Sequence, residues 1–154
     1  MSNKKPLSFK NKKASFNYEL IEKYVAGIVL QGTEIKSIRD RKVAFNDAYC
    51  VFLNGELYLR DFHIAQYSHG NIYNHEPTRE RKLLLKSKEL EKLESKSKNV
   101  GLTIVPTKLF VNDKGFAKME IALAKGKKQF DKRENLKEKD AKRQIDRVKR
   151  NYKA

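Results

Sequence analysis

The sequence has few of the features that disulfide-bonded or membrane-spanning proteins need. Its only cysteine is Cys50, so no internal disulfide can form, and its β-rich surroundings favour a small buried side chain in a strand. A catalytic thiol would need an activating base nearby, and the sequence identifies none. No apolar run approaches the length of a membrane-spanning helix, and the N-terminus lacks the apolar stretch of a signal peptide. We therefore expect a cytoplasmic protein with no membrane partner.

Motifs of the common catalytic and cofactor sites are also absent. The sequence contains no glycine-rich phosphate loop, no nucleophile elbow and no zinc-ligand spacing. Its three histidines, His63, His69 and His75, lack the closer spacing and the supporting Cys or carboxylate ligands of a metal site. We expect no cofactor, and histidines that contact RNA or solvent.

One catalytic hypothesis stays open, namely an RNA-processing nuclease. Its carboxylates would be Glu34, Asp40 and Asp47. Lysines and arginines surround these acids, however, and this pattern is typical of ordinary surface ion pairs. We therefore expect a binding protein and keep the nuclease as an alternative.

Acidic residues are scarce relative to basic ones. The chain has 35 Lys and Arg against 19 Asp and Glu, a formal net charge of +16. Residues 1–13 carry +5, residues 14–124 only +3, and residues 125–154 carry +8. Two basic arms thus flank a nearly balanced globule, and such arms attract polyanions. Nucleic acid is the favoured partner because neutralising phosphates releases counterions; a membrane surface would require an apolar face that neither arm has.

The middle of the chain reads as an antiparallel β protein with short helices. Asn54-Gly55 joins two β-rich runs, which predicts a hairpin with strands at 47–53 and 56–63. A second hairpin is predicted from runs 102–111 and 116–124.

A strand pattern also begins at Ala14, where Phe16 and Tyr18 alternate with polar residues, and Gly27 suggests a bulge or bend. Pro106 should lie at an edge or a bulge, because proline lacks the backbone donor.

Two helices and one ambiguous segment complete the pattern. Thr33 can cap a short helix ending near residues 39–42, and residues 86–98 form a second helix with Leu90 and Leu93 facing inward. Residues 66–79 read as a loop, and residues 81–85 as a buried strand or a helix start. The sum predicts a mainly β (α+β) fold, a small barrel of about six strands with two to three flanking helices.

Two further features concern the arms and the aromatic residues. Phe9, Phe16, Tyr67 and Tyr73 lie beside Lys, Asn or His, a setting in which rings can stack on unpaired nucleotides, although each ring could equally belong to the core. In the C-terminal segment, apolar residues recur at helical spacing around Val148. This pattern predicts a tail that is disordered when free and helical on an anionic surface.

Five stretches of the chain together resemble the bacterial SsrA-binding protein (small protein B) family. The stretches are collinear with the family's sequence: NKKA at 11–14, AGIVLQGTEIKSIR at 26–39, PTRERKLLL at 77–85, TIVPTKLF at 103–110 and AKGKKQFDKRE at 124–134.

The resemblance implies an oligonucleotide-binding-like β-barrel that acts as an RNA-binding factor and not as an enzyme. It implies that the protein binds the tRNA-like domain of transfer-messenger RNA (tmRNA) and delivers it to stalled ribosomes for trans-translation. The second partner would be the ribosome, at the decoding centre and message channel, where the tail would become helical. We expect a monomer with a flexible arm at 1–13, an RNA-binding domain at 14–130 and a tail at 131–154.

The resemblance also assigns residues. The implied RNA-facing set is Asn11, Lys12, Phe16, Glu34, Lys36, Lys125, Lys127 and Lys128. The implied ribosome-directed tail includes Asp131, Lys132, Arg133 and Val148. One departure is Val25, because the family commonly has a glutamate at that position. The remaining alternative in the same class is a ribosomal protein or another binder of structural RNA.

Overall fold

The computed structural model describes residues 7–69 and 74–127, and the fold is mostly β. These residues form nine strands and three helices in the following order: β1 (Ser8–Lys10), α1 (Lys12–Asn17), β2 (Tyr18–Ile28), α2 (Gly32–Arg39), β3 (Val43–Ala44), β4 (Tyr49–Leu53), β5 (Glu56–Arg60), β6 (His63–Ile64), β7 (Arg81–Leu84), α3 (Ser87–Ser97), β8 (Leu102–Val111) and β9 (Ala117–Gly126).

Six strands pair antiparallel in a ring, in the order β4, β5, β7, β2, β9 and β8. Strands β8 and β4, the two ends of this order, pair through one residue pair, Cys50 with Ile104. Short β1 pairs with the other half of β8, opposite residues 108–110. The ring is therefore not closed as a barrel. The prediction of a mainly β antiparallel fold with a few short helices is confirmed.

The core lies inside this ring. It is formed by the inward-facing apolar side chains of the ring strands, and α2 and α3 each add one fully buried apolar residue, Ile38 and Leu93. Apolar side chains from all six ring strands form one cluster, with Ala26, Cys50, Leu57, Leu83, Leu109 and Met119 among its members. The Cys50 thiol belongs to this core, and burial raises its pKa. The predicted structural role of Cys50 agrees with this position.

Both predicted hairpins are present. Asn54 and Gly55 have positive φ, at 52° and 78°, as a two-residue turn of this kind needs, and they join β4 to β5. Pro106 was predicted to lie at an edge or a bulge, and a shift in the register between Pro106 and Lys108 places it at a bulge. Gly27 was predicted to mark a bulge or a bend, and it does not bulge, because it pairs in regular register with both Leu84 and Lys118. The bulge of β2 lies instead between Leu20 and Glu22.

Strand β2 begins at Tyr18, later than the strand pattern from Ala14 predicted. Residues 12–17 form α1, which is capped by Asn11 and buries Ala14 against Val105 and Ala124. Packing of α1 against the sheet favours a helix here in spite of the local β pattern, because the stability of short helices depends on tertiary packing.

Two other local predictions differ from the structure. The N-cap of α2 is Gln31 in place of Thr33, and Gln31 forms a capping box with Glu34. The predicted arm at 1–13 includes residues 8–10, which form β1, and Lys12, which begins α1. Strand β1 pairs with β8, and the backbone N–H of Asn11 donates to the carbonyl of Thr107 on the same strand. The predicted boundary between the RNA-binding domain and the tail, at residue 130, lies outside the described residues and stays a prediction.

Candidate RNA-binding surface

The N-terminal helix and the end of the last strand lie side by side. Tyr18, which follows α1, pairs with Gly126, and the backbone N–H of Lys127 donates to the carbonyl of Asn17 at 2.9 Å. The Nζ of Lys127 donates to the carbonyl of Ser15 at 3.0 Å, across 112 positions of sequence. The fold thus joins two segments that are far apart in the chain, NKKA at 11–14 and AKGK at 124–127.

Asn11 attaches this helix to the sheet. Its backbone N–H donates to the carbonyl of Thr107 at 2.8 Å, and its side-chain Nδ2 donates to the carbonyl of Pro106 at 2.8 Å. Its Oδ1 accepts from the N–H of Ala14 at 3.3 Å and so caps α1. Both carbonyls belong to the part of β8 where the register shifts between Pro106 and Lys108. Asn11 therefore acts as an anchor that fixes the position of α1.

The basic side chains of α1 and β9 point to solvent. Lys12, Lys13 and Lys125 are exposed, while Lys127 is half-buried. Lys13 forms an ion pair of 3.2 Å with Asp47, and both side chains remain mostly exposed. Phe16 is half-buried on α1 beside these lysines. We call the group Asn11, Lys12, Lys13, Phe16, Lys125 and Lys127 the helix face.

Glu34 was expected to face RNA, but the structure places it in the interior with no exposed surface. Its Oε1 accepts from Arg79 at 2.6 Å and from the N–H of Gln31 at 2.8 Å, and its Oε2 accepts from Arg81. Arg81 is equally buried and also donates to the carbonyls of Phe62 and Pro77. Both carboxylate oxygens of Glu34 are thus occupied by protein groups.

The electrostatics of Glu34 follow from these contacts. Burial by itself raises the pKa of the carboxyl, but hydrogen bonds from Arg79, the Gln31 backbone and Arg81 outweigh it and hold the pKa below its usual value. The carboxylate is therefore ionised at neutral pH and holds α2 against β7.

Lys36 is exposed on α2, as its predicted role requires. Its Nζ lies 5.4 Å from the centre of the Tyr67 ring, and Tyr67 in turn contacts His69 edge to face. The side chain of Asn74 clamps the backbone of Tyr67, since Oδ1 accepts from its N–H and Nδ2 donates to its carbonyl. Sequence reasoning missed Asn74, and an Asn in a loop was its only signal.

His75 was expected to contact RNA or solvent, but the structure buries it. Its Nε2 lies 2.8 Å from the carbonyl of Ile64, and its Nδ1 lies 2.8 Å from the hydroxyl of Thr33. Because a carbonyl only accepts, the Nε2 of His75 carries a proton and donates to Ile64. His75 thus ties the loop to α2.

Two of the three carboxylates named for the nuclease alternative are engaged in ion pairs. Both carboxylate oxygens of Glu34 bond to Arg79 and Arg81, and Asp47 pairs with Lys13. In the described part of the chain, no cluster of three or more His, Cys, Asp or Glu side chains could hold a metal ion.

Several predicted residues lie outside residues 7–69 and 74–127. They are Lys128, Asp131, Lys132, Arg133, Val148 and Tyr73. Their proposed roles stay predictions.

The family model described as SmpB protein matches residues 8–151. The chain belongs to the SmpB family. Among curated relatives, the SsrA-binding protein of Phocaeicola vulgatus is 60% identical over 143 residues, which cover 93% of this chain and 95% of the relative. That of Christiangramia forsetii is 51% identical, covering 97% and 96%, and that of Enterococcus hirae is 53% identical, covering 92% of each.

A solved SmpB-type structure is also similar to this chain. It is described as "tmRNA-SmpB: a journey to the center of the bacterial ribosome", and its matching chain is 46% identical with a TM-score of 0.69, covering 80% of this chain and 86% of that one. The resemblance noted from the five sequence stretches is thereby confirmed. Within the described residues, no helix is long and apolar enough to cross a membrane.

Proposed function

We propose that this SmpB-family chain binds tmRNA and delivers it to stalled ribosomes, where it supports trans-translation and the tagging of incomplete proteins. Its family membership and its likeness to a tmRNA-SmpB structure support this function. The observation that carries the RNA-binding site is the contact of Lys127 with α1, because it gathers the two most basic motifs of the domain into one surface. The protein would act in the cytoplasm, on the ribosome.

The helix face has the chemistry of a phosphate-binding surface. Exposed lysines neutralise phosphates without reading base sequence, and that suits an RNA recognised by its folded shape. Lys12 and Lys125 would contact phosphates directly, and Lys127 would also hold α1 in place. Phe16 would meet an unpaired base or pack beneath the lysines.

Glu34 and Lys36 contribute to this function in different ways. Glu34 would act as a positioning residue, because its buried ion pairs fix α2 and with it the exposed Lys36. Lys36 and Tyr67 would then form a separate contact for RNA, a cation beside an aromatic ring. The tRNA-like domain of tmRNA is the part of the RNA that we propose for these contacts.

The C-terminal segment would serve the ribosome. We assign Lys128 to the RNA surface and Asp131, Lys132, Arg133 and Val148 to a tail directed at the decoding centre and the message channel. The chain would act as a binding factor, as expected for its family, and it would require no cofactor of its own. A monomer is sufficient for this role.

A salt series on purified protein and tmRNA tests the proposed surface. The double variant Lys12→Ala, Lys125→Ala should weaken binding and lower the slope of log affinity against log salt by about one for each lost phosphate contact. The matched control is Lys88→Ala, Lys98→Ala, which removes two exposed lysines at α3 and should leave the slope unchanged. Equal salt slopes in the two double variants would show that the helix face does not bind the RNA.

Sequencing the RNA that co-purifies with the protein tests the identity of the partner. Enrichment of tmRNA is the expected result. Recovery of ribosomal RNA alone would favour a structural-RNA binder instead.

A further inference from the structure

A pocket of about 60 Å³ opens between α1 and the turn at residues 45–48, which leads from β3 to β4. That volume is several times the roughly 10–15 Å³ that one water molecule needs. The floor of the pocket is apolar, because three of its lining residues are buried, namely Ala14, Ala48 and Val105. Its rim is polar and includes Asn17, Asn46 and Asp47. An apolar floor below a polar rim suits a flat ring that carries hydrogen-bonding groups at its edge.

Both walls of the pocket are held in place by the protein itself. Asn11 attaches α1 to β8. The turn is closed by the N–H of Ala48, which donates to the carbonyl of Phe45 at 2.9 Å. Asn46 has a φ of 47°, a left-handed conformation that asparagine adopts more readily than most residues. A ligand therefore meets a site that is already formed, so its binding costs less conformational entropy.

Asp47 is an acid on an otherwise basic surface. Its Oδ1 lies 3.2 Å from the Nζ of Lys13, and within residues 7–69 and 74–127 no donor pairs with its Oδ2. The side chain of Asp47 is 87% exposed, and exposed ion pairs contribute little to stability. A carboxylate also repels phosphate, so Asp47 does not help the lysines of the helix face to bind an RNA backbone. Because an ionised carboxylate only accepts hydrogen bonds, it suits a ligand that carries N–H donors.

Guanine is the base whose donors match a carboxylate best. Its Watson–Crick edge carries two adjacent donors, N1–H and the N2 amino group, which can reach the two oxygens of one carboxylate. Adenine and cytosine offer a single amino group on that edge, and uracil offers a single N–H. Unpaired nucleotides leave this edge open to protein side chains. Each carboxylate oxygen can accept more than one hydrogen bond, so Lys13 can stay in place when guanine binds.

We propose that the pocket binds the base of one unpaired guanosine of tmRNA, with Asp47 accepting from N1–H and the N2 amino group. The base enters edge first between α1 and the turn, where the amides of Asn17 and Asn46 supply donors for its O6 and N7. Lys12 and Lys13 meet the neighbouring phosphates. This inference rests on the proposed function. It adds the recognition of a base to a surface whose lysines bind phosphate without reading sequence.

The direction in which a charge-removing substitution changes the affinity tests the inference. Asp47→Asn keeps the size of the side chain and removes a negative charge from a basic surface, so electrostatics alone should strengthen the binding of tmRNA. Loss of the two hydrogen bonds to guanine should instead weaken binding by roughly five- to 150-fold. The matched control is Glu19→Gln, which removes the same charge from an exposed residue opposite Lys125 on β9. This control should bind tmRNA as tightly as the parent protein or more tightly.

Inosine interference identifies the recognised base directly. A pool of tmRNA in which a small fraction of the guanosines is replaced by inosine phosphorothioate is mixed with the protein, and the bound and unbound fractions are cleaved with iodine. Inosine lacks the N2 amino group, so it should be depleted from the bound fraction at one unpaired position. This depletion should occur with the parent protein and with Glu19→Gln, and it should be lost with Asp47→Asn. Depletion caused by misfolding of the RNA would occur with all three proteins.

The outcomes separate this inference from the proposed function. Binding of tmRNA by Asp47→Asn that equals or exceeds parental binding would overturn the guanine site and leave the proposed function intact. The same conclusion would follow if the inosine pattern were identical for Asp47→Asn and the parent protein. A parent protein that does not bind tmRNA would overturn the proposed function itself.

Discussion

Glu34 and Arg81, 47 residues apart in the sequence, form an ion pair in which neither side chain has any exposed surface. Arg79 bonds the other oxygen of the same carboxylate. In a buried ion pair, the attraction between the charges offsets the cost of removing them from water only when every partner is present. The pair joins α2 to β7, and Arg81 also donates to the carbonyls of Phe62 and Pro77.

Removing the carboxylate should therefore destabilise the fold strongly. In Glu34→Ala, Arg81 keeps a buried charge without its partner, so the free energy of unfolding should fall by about 3–5 kcal/mol. Urea unfolding measures this change. The control is Glu80→Ala, which breaks the half-exposed pair of Glu80 with Arg60 and should cost about 0–1 kcal/mol. Similar losses in the two variants would contradict the structural role of Glu34.

The same carboxyl predicts a pH dependence of stability. Its pKa is lowered in the folded state, so the unfolded chain binds more protons once the pH falls below about 4.5, the ordinary value of the group. The stabilisation is complete above that pH and is lost as the pH falls through the folded pKa. Urea midpoints measured from pH 7 to pH 3 should therefore fall on the acid side, and the fall should be smaller in Glu34→Gln. If the urea midpoints of Glu34→Gln fell with pH as much as those of the parent protein, the loss of stability in acid would be due to other groups.

Asn11 should affect stability and RNA binding together. Asn11→Ala removes the cap of α1 and the bond to Pro106, which should lower the free energy of unfolding by about 1–2 kcal/mol and weaken binding of tmRNA. Thermal unfolding and a binding titration test both effects. Ser15→Ala, at an exposed position of the same helix, is the control and should change stability by less than about 0.5 kcal/mol. Normal RNA binding by a destabilised Asn11→Ala would show that α1 need not be fixed.

Truncation after Phe130 should separate the two proposed partners. The helix face remains intact, so binding of tmRNA should stay near normal, whereas tagging of chains stalled on a message without a stop codon should be abolished. A reconstituted translation reaction with tag detection measures the second effect, and full-length protein is the control. Loss of RNA binding in the truncated protein would count against this division of labour.

Local patterns were reliable where the local chemistry alone decides the backbone. Asn54-Gly55 specifies a hairpin because few other residues accept positive φ there, and Pro106 specifies a bulge because it cannot donate to the ladder. The family resemblance and the basic arms also indicate RNA as the partner, because both depend only on the type and order of residues along the chain.

The placement of individual side chains required the tertiary structure. Glu34 and Lys36 are two residues apart in one motif, yet one is buried between two arginines and the other is exposed, a difference that depends on the arginines at and near strand β7. Residues 14–17 belong to a predicted strand pattern but lie in helix α1, which Asn11 caps and attaches to the carbonyls of Pro106 and Thr107 on β8.

The sequence by itself determined the charge, the turns and the family of this protein, since those depend on residue type and short spacing. Only the folded chain decided which lysines share a surface, because the contact of Lys127 with α1 spans 112 positions and no local pattern encodes it.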